Sequence, residues 1–157
     1  MQELRGEVDA CTRHRRSRTL ITAEPHKRGV EAAEFSSRLH SLAVGLIEIA
    51  RGEQAEGYCA GNPHLVRHGA ELAWLSALQG VEGAMTRKGL IPDPGAMNLA
   101  SKHTFLESAG RGDLSEALFV FEDWLHERMW WYGALPGREE ADNLFDEVER
   151  FVRELSA

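Results

Sequence analysis

Only two of the 157 residues are cysteine, Cys11 and Cys59. Cys11 falls where no periodicity is visible, so a structural disulfide is not expected. Free thiols suit a reducing cytoplasm. No apolar run approaches the roughly 20 residues that cross a bilayer, so a membrane location is not expected. Basic residues near the N-terminus have no apolar stretch behind them, so a secretory signal is not expected either. No segment alternates with period two, which argues against a sheet. GxSxG, a phosphate-cradling glycine loop and a CxxC pair are all missing, and with them the motifs of several enzyme classes.

What is present is a core's worth of apolar residues, 43% of the chain, enough for one domain. Charge is unevenly placed. Residues 1–28 carry seven Arg/Lys against four Asp/Glu, a net +3, within a chain of net charge −7. An acidic body repels nucleic acid. A nucleic-acid partner is therefore not expected, residues 1–28 being the one stretch that could touch phosphates; they read as a flexible basic arm, a solvated leader before a contact element, and 29–157 as the helical domain.

Helical periodicity organises that domain. Phe35, Leu39, Leu42, Leu46 and Ile49 recur at spacings of four and three, which predicts a helix from about Val30 to Arg51 with this face inward. Residues 52–63 read as a glycine-rich loop closed by Asn62-Pro63. A second helix is expected from Pro63 or His64 to Lys88. It has a small-residue stripe (Val66, Ala70, Ala73, Ala77, Val81, Ala84) beside Trp74, and a second apolar face of Leu72, Leu75 and Leu78. The narrow polar stripe between holds His68, Glu71, Gln79, Glu82 and Thr86. After a proline-containing link at 89–97, a short helix from Asn98 to Ser108 is expected. A fourth helix runs from Asp113 to Tyr132, with Asp113 and Glu116 at capping-box spacing. A fifth runs from Arg138 to Leu155. The fold class is therefore all-α, an up-and-down antiparallel bundle of four long helices plus one short one.

Several residues could carry chemistry. Cys59, His64 and His68 have a loose zinc-ligand spacing but no evident fourth ligand, so neither a metal nor a cofactor is expected. Asp123 and His126 fall on the outer side of the fourth helix at 100° per residue, as solvated charges would. Arg128 falls inside that helix's apolar arc, where a guanidinium needs a partner or an anionic ligand. With His68 and Glu71 it forms the candidate ligand-binding set. Trp131 and Tyr132 should point into the core. Phe119 and Trp130 should face outward as an aromatic contact surface. The leading expectation is a non-catalytic protein acting as a homodimer or with a protein partner. The alternative is a ligand-binding or hydrolytic bundle using the His68/Glu71/Arg128 region.

The alanine-spaced second helix ending in Gly89-Leu90, the proline-containing link, the short third helix and the fourth helix ending Arg128-Met129-Trp130-Trp131-Tyr132-Gly133 resemble the HEPN superfamily. The resemblance covers about Phe35 to Leu155. It implies an up-and-down bundle that often dimerises, with a nucleotide- or RNA-related, toxin–antitoxin type of activity. RNase members carry an Arg, four to six residues, then His. No histidine here (His14, His26, His40, His64, His68, His103, His126) has an Arg at that distance before it. That activity is not implied.

Overall fold

The computed structural model describes residues 25–90 and 98–156, with side chains from residue 29. The expectations for residues 1–24 and for the link at 91–97 lie outside the described residues. Five α-helices follow in order: α1 (Pro25–Ala60), α2 (Pro63–Arg87), α3 (Leu99–Ser108), α4 (Gly112–Phe121) and α5 (Arg138–Ser156). α4 runs straight into a π-helical segment, Glu122–Trp131, so the two form one continuous rod. Counting that rod once, the architecture is four long helices and one short, as expected. Among the described residues no helix is long and apolar enough to cross a membrane.

α1 is 36 residues long and begins inside the stretch read as an arm. It also continues through the stretch read as a loop. Gly52 and Gly57 suggested a break, but Gly57 serves a close approach. A Cβ there would stand 2.7 Å from Val66 Cγ2 and 2.8 Å from Val66 N. The helix ends at Gly61, whose φ of 62° lets the chain leave the helical path. Asn62 then caps α2, its side chain accepting from His64 N at 3.1 Å, and Pro63 occupies the first turn.

α1 and α2 lie antiparallel with their backbones close. Ser36 Oγ donates to Gly83 O at 2.7 Å, and Ser76 Oγ donates to Ala43 O at 2.6 Å. A Cβ on Gly69 would lie 2.8 Å from Ala50 O. The pairs 36–83, 43–76 and 50–69 step seven residues at a time in opposite directions, which defines the register. The buried face of α1 is Ser36, Leu39, Ala43, Ile47, Ala50 and Gln54. This corrects the expected orientation. Of the large aliphatic arc only Leu39 is buried, while Phe35, Leu42 and Ile49 are 46%, 50% and 56% exposed. Small side chains lower the ridges between helices, so two small-residue stripes meet and large side chains are turned away.

α5 closes the core from the other side. Ala141, Leu144, Phe145, Val148, Phe151, Val152 and Leu155 point inward. Leu155 and Val152 pack over Gly80, and the Phe121 and Phe151 rings meet edge to face at 5.3 Å. Arg51 on α1 reaches Asp146 and Glu149, and Gln54 donates to Asp142 at 2.8 Å. The start of α4 carries no side-chain cap, contrary to the capping-box reading. Asp113 instead accepts from Arg111, which also reaches Glu154 at 2.6 Å. Those hydrogen bonds from Arg111 hold the Asp113 carboxyl below the ordinary carboxylate range.

Candidate functional site on the π-helical segment

Ten consecutive residues in π geometry are unusual, because such segments are commonly single turns and are frequent at functional sites. The i→i+5 spacing is visible in side chains and backbone alike. Arg128 Nη2 meets Asp123 Oδ2 at 2.8 Å, and Tyr132 N donates to Glu127 O at 3.0 Å.

This geometry changes which residues share a face. On an α-helical wheel Glu122 and Trp131 lie about 180° apart. In a helix closed by i→i+5 bonds, residues four, five and nine apart stack together. Glu122, His126, Glu127 and Trp131 have that spacing, and with Tyr132 they line one open cleft of about 370 Å³. The sequence wheel had sent Trp131 and Tyr132 into the core. They are 67% and 81% exposed, because the register changes at Glu122. Trp130 is half-buried, with the Arg67 guanidinium 5.8 Å from its ring centre and Arg67 Nε donating to its carbonyl at 3.1 Å.

The cleft is held from behind by a hydrogen-bond relay. His126, expected on the outer side, is half-buried, its ring 5.9 Å from that of Trp74. Trp131 Nε1 meets His126 Nε2 at 3.1 Å, and His126 Nδ1 meets Glu71 Oε2 at 2.8 Å. An indole nitrogen only donates, so Nε2 accepts and Nδ1 carries the proton that it donates to Glu71. Both ring nitrogens are thereby engaged. Asp123 does stay on the exposed flank, paired with Arg128.

The candidate set of His68, Glu71 and Arg128 is divided among different partners. His68 pairs with Glu53 of α1, Glu71 anchors His126, and Arg128 pairs with Asp123 while lying 4.6 Å above the Trp124 ring. Of the three, only Glu71 contributes to the cleft. Cys59 lies on α1 beside Arg138, at 3.5 Å, and among the described residues no group of three His, Cys, Asp or Glu side chains is placed to hold a metal ion. Phe119 stacks on His103 of α3, the ring centres 3.6 Å apart, and remains 55% exposed. His103 Nδ1 also meets Ser115 Oγ at 2.9 Å, with Glu107 3.5 Å beyond. That Ser/His/Glu cluster joins α3 to α4. Ser115 is 3% exposed, too deeply buried to attack a substrate.

The cleft residues were missed in the sequence because their common face exists only in π geometry. The i, i+4, i+5, i+9 spacing of Glu122, His126, Glu127 and Trp131 is the signal that could have found them. Fold and cleft together define a small all-helical domain with one aromatic, acidic surface site on its rod. No family model, no curated protein and no solved structure matches the chain.

Proposed function

We propose that the protein is a non-catalytic helical bundle that works by self-association, and that a second copy docks on the face of the α1–α2 hairpin turned away from α5. The observation that supports this most is the exposed aliphatic seam of α1. Its exposed members, Phe35, Leu42 and Ile49, recur every seven residues, with half-buried Leu46 between the last two, a spacing with which one helix packs against another in a coiled coil. Leu42 is about 180° around α1 from Arg51 and about 120° from Gln54, two residues that α5 engages. On α2, Leu72 and Leu75 extend the same face. Glu53 stands seven residues after Leu46, His68 stands seven before Leu75, and these two side chains pair across the hairpin. The apolar stripes of the two helices are therefore neighbours.

Charge selects an antiparallel arrangement of the two copies. With Leu42 of each α1 opposite Ile49 of the other, Arg38 faces Glu53 of the second copy. With Leu42 opposite itself, Glu31 faces Glu53, and like charges repel. The first arrangement joins two hairpins into a four-helix assembly with a self-complementary twofold interface. Phe119 and Trp130, the pair expected at an interface, already have partners within the chain in His103 and Arg67. Kinship with the HEPN superfamily belongs to this proposal as well. The long antiparallel α1–α2 pair supports it.

Light scattering across a concentration series tests the reading. Wild type is expected to reach the dimer mass. The double variant Leu42→Asp with Ile49→Asp should stay monomeric, with an unchanged helical circular-dichroism spectrum. Arg38→Glu should weaken the dimer, and adding Glu53→Arg should restore it. A wild type that remains monomeric at every concentration contradicts the proposal.

A further inference from the structure

Trp131 poses a physical question. Its ring is largely in water, yet Glu71 and His126 are spent on fixing its orientation. A solvated tryptophan gains little stability from such a relay. A tryptophan that must present a fixed face to a ligand gains much, since a wall already in place loses less freedom on binding. Trp131 and Tyr132 are among the most exposed large hydrophobic side chains described, and they stand beside each other on one cleft. Glu122 and Glu127 line the same cleft, and neither is ion-paired among the described residues.

We infer that this cleft binds an alkylammonium group, with the Trp131 and Tyr132 rings as its walls and the Glu122 and Glu127 carboxylates as its counter-charge. The inference is independent of the self-association proposed above, because it rests on other residues, those of the π-helical segment and Glu71. Aromatic π faces attract a cation whose bulk is apolar, and a carboxylate adds charge at the rim. The same carboxylates repel anions. A neutral hydrocarbon would gain the rings but would strip water from two glutamates without compensation. Metal coordination has no three-ligand set among the described residues, and His126 has no free nitrogen with which to take a proton from a substrate. The π register is part of the site, because an α-helix would carry Glu122 and Trp131 on opposite sides.

The test is a titration of the full chain with choline, followed by the nitrogen-correlated NMR signal of the Trp131 indole N–H. That signal is identified by its loss in Trp131→Phe. Saturable movement is expected with choline and with Nε-trimethyl-lysine, which stand for a free small cation and a methylated side chain. Phosphocholine, which stands for a lipid headgroup, should bind more weakly because the carboxylate rim repels its phosphate. Glu122→Gln with Glu127→Gln should weaken choline binding about tenfold without changing the helical spectrum. The uncharged isostere 3,3-dimethylbutanol is the control. If it moves the Trp131 signal as strongly as choline does, the cleft is an apolar groove and the inference is overturned. It is equally overturned if choline produces no saturable movement.

Discussion

Phe121→Ala is expected to lower stability by about 3–5 kcal/mol, measured by chemical denaturation with a helical signal. Phe121 is 1% exposed, sits on the last α-helical turn before the π segment, and meets the Phe151 ring edge to face. Truncation would leave a void bounded by α4 and α5, elements that cannot collapse inward without displacing the cleft. The loss is a large share of the roughly 5–15 kcal/mol that holds a domain together. Trp124→Ala provides the contrast. Its larger ring is only half-buried, under the Arg128 guanidinium, so its removal should cost less than about 2 kcal/mol despite the greater volume. If the two losses were equal, the burial described for the rod would be wrong.

Two glycines in the α1–α2 hairpin should respond to alanine with opposite signs. At Gly69 a Cβ would meet Ala50 O at 2.8 Å and Gln54 N at 3.2 Å, both backbone atoms of the facing helix. Neither can rotate aside, so the helices must separate along a contact of small residues. The expected cost is about 1–3 kcal/mol, net of alanine's better helix propensity. At Gly52 a Cβ would meet nothing within 4 Å. Gly52→Ala should therefore stabilise α1 by about 0.5–1 kcal/mol. Thermal unfolding of the two variants reads both signs, and a stabilising Gly69→Ala would show that the hairpin is not closely packed there.

The number of helices and the boundaries of α2, α3 and α5 were legible from periodicity, whereas the π geometry of Glu122–Trp131 was not. α5 was read almost as it stands, because its apolar residues leave one possible inward face. α1 was found but read too short at both ends, Val30 to Arg51 against Pro25–Ala60, and turned wrongly. It carries two stripes, one of large aliphatic residues and one of Ser36, Ala43, Ala50 and Gln54. Hydrophobicity favours the first for the core, whereas the close approach set by Gly69 and Gly83 of α2 demands the second. The glycines at 52 and 57 were read as helix breakers, although Gly57 makes room for Val66. The cleft was missed for a different reason. A wheel assumes one angle per residue along the whole helix, and after Glu122 that angle changes. Trp131, Tyr132 and His126 were all misplaced by the same error.

The π segment also makes the rod unequally tolerant of two kinds of genetic change. Substitution on its exposed flank, at Arg128 for instance, alters one contact. Loss or gain of a single codon between Glu122 and Trp131 would instead rotate everything beyond it. Trp131 and Tyr132 would swing away from Glu122, and the turn into α5 would start from another side of the rod. Over this stretch the spacing of residues is a stricter requirement than most of their identities, and a gap in the alignment of any relative should be rarest there.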